Sequence, residues 1–225
     1  MSGAKKAGIR SLGHQFGENG RAKPSQYLVS KSRFLQKDQR ALLVADGEGR
    51  NSVWCAGMGL TVDAFDISPQ AIEKAKQLSL DKGVSVTYTV ASCDDWDWVP
   101  EKYDVVIVVC ANFTTPCMRV RLFDNCVTTL KPGGILILNG YSMKQLGVLM
   151  LEGYTPEQLD YRQNGFSIRE HFYSEDLLRK TFTNLEILEI VSYTERERKE
   201  NGSVSVAALM GMMARKRHSS SDAAV

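Results

Sequence analysis

The chain has 225 residues, 43% of them hydrophobic, and 28 basic against 26 acidic side chains leave a formal net charge of +2. That is enough chain for one α/β domain with a full core, and too little charge of either sign to point to nucleic acid or an anionic membrane surface. No apolar run reaches the ~18–20 residues that span a bilayer. The five cysteines include no Cys-x-x-Cys pair, which argues against a zinc site or a disulfide framework and for a reducing compartment.

In chain order, residues 1–15 read as a flexible arm. MSGAKKAGIRSLGHQFG is basic, with no acid before Glu18. Mitochondrial presequences share that bias, but the arginines are few and the apolar patterning is weak. The expected location is the cytoplasm, with the mitochondrion as the alternative. ALLVA (41–45) is a continuous apolar run, as in a strand buried on both faces. DGEGRN follows, and Asn51 is placed to cap a helix over NSVWCAGMG. LTVDAFD (60–66) is the second strand. Ser68 caps a helix that Gly83 ends. VSVTYTVA (84–91) and YDVVIVVC (103–110) are strands three and four. MRVRLFDNCVTTL is helical, KPGG turns the chain, and GILILNG (134–140) is the fifth strand. Ser174 opens a helix over 174–182. LEILEIVSYTERE and SVSVAALMGMMARK form a closing antiparallel hairpin. The tail 217–225 reads as frayed. Seven strands alternating with helices predict a doubly wound, mostly parallel α/β sheet with an antiparallel end.

One segment occurs twice. GILILNGYSMKQL (134–146) is followed directly by GVLMLEGYTPEQL (147–159), identical at seven of thirteen positions. The first copy follows the KPGG turn in register and is expected to be the strand. The second becomes a partly helical insertion carrying Val148, Leu149, Met150, Leu151 and Tyr154. It serves either as a cover over the active site or as a packed or interface element without chemistry.

In doubly wound sheets ligands sit at the carboxyl ends of the strands, near the switch in strand order. The Gly47-x-Gly49 loop lies there. Glycine permits close backbone approach, and the helix start behind it offers unpaired N–H groups. Asp66 ends the next strand, nineteen residues after Gly47, where a carboxylate can accept both hydroxyls of a ribose. The pair points to an adenosine-containing ligand. A dinucleotide fingerprint wants a third glycine where Ser52 stands, a weak match.

The residues FGENGRAKPSQYLV, VADGEGRNSVW, VDAFDISPQAIEKA, VASCDDWDWVPEKYDVV, LKPGG and GYTPEQLDYR carry a resemblance. From about Phe16 to Lys216 the chain resembles the class I S-adenosylmethionine-dependent methyltransferases, whose fold is Rossmann-like. It looks closest to the small-molecule branch typified by the tellurite-resistance methyltransferases. The resemblance implies S-adenosyl-L-methionine as cofactor, with Ala45, Asp46, Gly47, Gly49 and Asn51 in the loop around its methionine part. It implies Asp66 on the ribose, Ile67 on the adenine face, Ser92 and Cys93 at the adenine edge, and Cys110 with Ala111 facing the donor methyl. Two positions depart from the class. Ala45 replaces the usual first glycine, tolerable while its φ stays negative. Ser92 replaces an aspartate, with Asp94 and Asp95 close enough to substitute.

Methyl transfer by in-line displacement needs positioning rather than a protein nucleophile, and no Ser/His/Asp or Cys/His set is visible. Substrate-side candidates are Tyr27, Arg50, Asn112, Tyr141, Tyr154, Arg162 and His171. Of these, His171, Tyr154 and Arg50 are the candidates for a direct catalytic part. Trp96 and Trp98 either wall the cofactor or bury a sheet edge. The expected activity is methylation of a small molecule, a thiol or chalcogen (sulfur, selenium, tellurium) acceptor first. O-methylation of a small metabolite and a non-catalytic, cofactor-binding interaction module are the alternatives. No metal, nucleic acid or membrane partner is expected, and the chain would act as a monomer or homodimer.

Overall fold

A computed structural model describes residues 23–160, 166–198 and 202–218. The expected arm 1–15, most of the tail and Arg162 lie outside the described residues. Seven strands form one sheet: β1 (Arg40–Val44), β2 (Thr61–Asp66), β3 (Thr87–Val90), β4 (Tyr103–Val109), β5 (Leu130–Tyr141), β6 (Leu185–Arg198) and β7 (Val204–Lys216). Their order is β3-β2-β1-β4-β5-β7-β6. β1 to β5 run parallel, and β7 pairs antiparallel with both β5 and β6. The doubly wound sheet with a closing hairpin is thus the fold.

The central strands alternate their side chains between two cores, as the period of two in a pleated strand requires. Leu42, Val44, Val106, Val108, Leu136 and Leu138 face one core. Ala41, Leu43, Val105, Ile107, Ile135 and Ile137 face the other. On the first side Leu122, Phe123 and Cys126 of helix α4 (Pro116–Thr129) pack with Leu178 of α7 (Glu175–Thr181). On the second lie Tyr27 and Leu28 of α1 (Gln26–Ser30) and Cys55 of α2 (Arg50–Gly57). Helix α3 (Pro69–Lys82) starts at the expected cap: the Ser68 hydroxyl accepts from the Ala71 amide, and Gly83 closes it in the left-handed conformation. Thr115 caps α4 in the same way, with Pro116 in its first turn.

The KPGG turn differs from expectation. β5 starts before it, at Leu130 opposite Tyr103, and the register shifts before Ile135 meets Val105. KPGG is therefore an irregularity inside the strand rather than its leading turn. The repeat resolves as expected: the first copy is β5. The second supplies the end of α5 (Gln145–Leu151) and all of α6 (Pro156–Asp160). Leu149 and Leu159 are fully buried, with Tyr141, Ile168, Phe172 and Leu209, in a third, smaller apolar cluster, while Leu151 is 91% exposed. Among the described residues no helix is long and apolar enough to cross a membrane.

Candidate functional site

Both strands at the switch in strand order end on a strained residue. β1 gives way to Ala45 at φ +50° and β4 to Cys110 at φ +61°, both non-glycine residues in the left-handed region. Such a conformation costs an L-residue roughly 1–2 kcal/mol, and its clustering marks functional sites. The negative φ expected of Ala45 is therefore corrected: the chain must turn left-handed there to leave β1, and alanine bears the strain.

Beyond Ala45, Gly47 has φ +63°, and a Cβ there would meet nothing within 4 Å. Its amide donates to Asp66 Oδ2 at 2.9 Å, and the Ser68 amide donates to Asp66 Oδ1 at 2.9 Å. One carboxylate thus ties the glycine loop to the start of α3. Each oxygen keeps a lone pair for a further donor. Ile67, next in the chain, is 71% exposed beside it.

Gly49 has another task. A Cβ there would come 2.7 Å from Ala75 Cβ and 2.9 Å from the Tyr88 hydroxyl, so this glycine lets α2 pack against α3. Gly49 is also the N-cap of α2, in the left-handed conformation. Asn51 is consequently inside the first turn and does not cap it. Its Oδ1 accepts from the Ser25 amide at 2.9 Å, and Arg50 Nη1 donates to the Lys23 carbonyl at 3.2 Å. These two residues hold a strap formed by Lys23 to Ser25. The Ser25 hydroxyl donates on to Asn139 Oδ1 (3.1 Å), and Asn139 Nδ2 donates to the Tyr193 hydroxyl (2.8 Å) and the Met210 carbonyl (3.1 Å). Tyr27 stacks on Tyr193 and donates to Glu189. Sequence reasoning missed this seam. Its signal was Asn139, a lone amide in an apolar strand.

Asp46 sits under the loop. Both its carboxylate oxygens are buried without a hydrogen bond of good geometry. Burial pushes its carboxyl up to about 7, against the smaller opposing pull of the Ser52 hydroxyl and amide and of Arg50.

At the expected adenine edge, Ser92 is occupied with its own turn. Its hydroxyl donates to Asp95 Oδ2 at 2.6 Å and accepts from the Asp94 and Asp95 amides. Asp94 pairs with Arg121. Neither acid is uncommitted as a substitute for the absent aspartate. Burial raises the Cys93 thiol to about 11, and the Cys93 carbonyl accepts from Trp98 Nε1. Trp96 stacks on Phe65 at 4.6 Å and Trp98 meets the same ring edge-on, so DDWDW covers the end of the sheet core.

The far end of the site is held by longer connections. Asn112 Nδ2 donates to the carbonyls of His171 (2.7 Å) and Tyr141 (3.2 Å), and its Oδ1 accepts from the Tyr141 amide (2.8 Å). All of this amide is spent on backbone, which removes Asn112 as an acceptor ligand. His171 is buried, and its Nδ1 lies 3.0 Å from the Asn112 carbonyl. A carbonyl only accepts, so Nδ1 carries the proton and Nε2 is the basic nitrogen. Desolvation holds this imidazole below its ordinary range. Tyr141 and Tyr154 pack in the third apolar cluster rather than facing Asp66. Arg119, which sequence reasoning missed, is buried on α4 and donates to the Glu170 carbonyl at 2.8 Å.

Residues 41–134 match the family model of a methyltransferase domain. Over 103 residues the chain is 34% identical to a ubiquinone biosynthesis O-methyltransferase of Xanthomonas euvesicatoria pv. vesicatoria, covering 44% of this chain and 42% of that protein. The chain thus spans less than half the length of this curated relative. The structure reported for the conversion of a disulfide bond into a thioacetal group during echinomycin biosynthesis superposes with a TM-score of 0.71 at 19% identity, covering 92% of this chain and 88% of that one. TehB from Haemophilus influenzae superposes at 0.62 and 17%, covering 84% and 61%. At these identities the two structures show the fold alone, and TehB is one neighbour among many rather than the mark of a branch. The matched segment, under half of the chain, holds β1 to β4, and the sheet order around it is that of the class I methyltransferase fold.

Proposed function

We propose that the protein transfers the methyl group of S-adenosylmethionine to a small-molecule thiol or heavier chalcogen acceptor. The observation that carries this reading is Asp66, held at the end of β2 by the Gly47 and Ser68 amides beside the exposed Ile67, one strand away from the strained end of β1. The fit to an adenosine is chemical. A pre-oriented carboxylate accepts from ribose hydroxyls, an exposed apolar side chain meets adenine, and Gly47 leaves open space above the loop. When bound, the cofactor supplies an electrophilic methyl on a sulfonium sulfur.

The chain's own part is positioning, worth up to roughly 7–11 kcal/mol in well-aligned reactions. Asp66 and Gly47 fix the ribose end. Cys110, whose amide donates to the Asn139 carbonyl at 2.7 Å, fixes the backbone at the end of β4. The strap through Ser25 closes the methionine side. His171, neutral, with its proton at Nδ1, presents Nε2 as the atom that can take a proton from an acceptor. Arg50 holds the strap and Tyr154 supports the third cluster.

Similarity to the ubiquinone O-methyltransferase supports a second reading, an oxygen acceptor. The test is formation of S-adenosylhomocysteine from S-adenosylmethionine with thiols, selenite, tellurite and phenols in turn. Turnover of a thiol or chalcogen is expected, reduced at least ~100-fold in Asp66→Ala, since two charge-assisted hydrogen bonds are each worth ~1.5–3 kcal/mol. Turnover of phenols alone would move the reading to oxygen. Full activity in Asp66→Ala would overturn the site.

A further inference from the structure

Helix α4 follows the carboxyl end of β4, and Arg119 lies one turn into it. The side chain is only 7% exposed. Its Nη1 donates to the Glu170 carbonyl, and its backbone amide is used by the Thr115 carbonyl. Among the described residues no carboxylate forms an ion pair with it. The nearest acid in sequence terms across the contact, Glu170, turns its carboxylate to the Ser167 amide and hydroxyl. A guanidinium taken out of water without a close ion pair is an unfavourable arrangement, and desolvation lowers its affinity for the proton against the smaller opposing pull of Tyr173 and of the Glu170 charge.

A second polar group beside it lacks a partner. The Tyr173 hydroxyl is buried with no hydrogen bond, although the ring around it is well packed. The segment that carries it is fixed to β5: the Tyr173 amide donates to the Tyr141 carbonyl, and its carbonyl accepts from the Met143 amide, both at 2.9 Å. Gly140 makes room for the ring, since a Cβ there would come 2.6 Å from Tyr173 Cε2. Arg119 and the Cys110 thiol both act electrostatically on this hydroxyl. His171 also senses Arg119 and, being neutral, adds no second cation. An arginine without a close ion pair among the described residues and a phenol without a hydrogen-bond partner therefore converge beside the end of β4.

We propose that Arg119 and Tyr173 bind an anionic group of the methyl acceptor, a carboxylate or other oxyanion, and so select negatively charged acceptors. The inference rests on the methyltransferase reading. An oxyanion would neutralise the guanidinium and accept from the phenol, satisfying both groups at once.

The test is calorimetric titration of protein saturated with S-adenosylhomocysteine, using 3-mercaptopropionate and its uncharged amide. Wild type should bind the carboxylate at least ~10-fold more tightly, as a charge-assisted contact implies. Arg119→Gln should reduce that preference below ~3-fold, with S-adenosylhomocysteine affinity unchanged. Tyr173→Phe, which removes one oxygen from a packed ring, should reduce it by ~3-fold or more and decides the matter where Arg119→Gln does not fold. Equal or undetectable binding of both probes by wild type, or a preference that survives both substitutions, overturns the inference alone. Failure of wild type to bind S-adenosylhomocysteine overturns the methyltransferase reading, and this inference with it.

Discussion

The two ends of the site are built differently. The proposed cofactor end, around β1 and β2, is made by short connections: Asp66 reaches back nineteen residues to the Gly47 amide and forward two to Ser68. The proposed acceptor end, around β4 and β5, is made by long ones: Asn112 to His171 spans 59 residues and Arg119 to Glu170 spans 51. The first presents satisfied backbone amides and one oriented carboxylate. The second buries an arginine and a tyrosine hydroxyl with bonding capacity to spare. A local loop can hold the constant part of a ligand set, while the part that differs between acceptors is assembled from distant segments.

The largest effect that tests this contrast is on stability at the acceptor end. Asn112→Ala removes three buried hydrogen bonds, of whose backbone partners the Tyr141 carbonyl keeps the Tyr173 amide, at about 3–4 kcal/mol in all. For a chain of this size that is a drop of roughly 10 °C in Tm. Thermal denaturation should show it, and a change under ~1 kcal/mol would mean that the long connections are not what holds that end.

A smaller effect separates the groups by pH. The folded state raises the Asp46 carboxyl from its ordinary range to about 7. Between about pH 4 and 7 the folded chain then binds more protons than the unfolded one, so this residue's contribution to stability falls as pH rises, by at most ~1.4 kcal/mol per unit. His171 works in the opposite sense. Its pKa is lowered by burial, so it adds stability as pH rises toward 6.5. Denaturant titrations of wild type and Asp46→Asn isolate the first term. The amide variant should gain on wild type steadily from pH 5 to 7.5, and a constant difference would contradict the buried-acid account.

The smallest effect lies at the strained end of β1. Ala45→Gly relieves a left-handed alanine but adds unfolded-state entropy, and the two terms nearly cancel. The variant should be more stable by less than about 1 kcal/mol, with cofactor affinity within twofold. Marked destabilisation would mean that the alanine methyl makes a needed contact.

What was legible in the sequence follows the same division. Strand runs and the Ser68 cap are local patterns, and they survived; the glycine loop and Asp66 are local too, and the fold sets them side by side. Asn51 was misplaced as a cap because a left-handed Gly49 does that work, which residue type alone does not reveal. The strap through Ser25 and Asn139, and the pairing of Arg119 with Glu170, depend on contacts across the fold and left only faint traces. The repeat is the sharpest case. GILILNG is a strand because β4 and β7 flank it, whereas much of GVLMLEG, nearly the same residues, lies in a helix because no strand slot remains. Both copies bury leucines, and tertiary context chooses the geometry.

The most direct test of the central claim is calorimetric titration of S-adenosylhomocysteine into wild type and Asp66→Ala. The account predicts micromolar binding by wild type and at least ~100-fold weaker binding by a variant that still unfolds cooperatively, with a Tm lowered by the loss of the Gly47 and Ser68 hydrogen bonds, as the loss of two charge-assisted hydrogen bonds to the ribose requires. No binding by wild type up to millimolar concentration, or equal binding by both proteins, would contradict it.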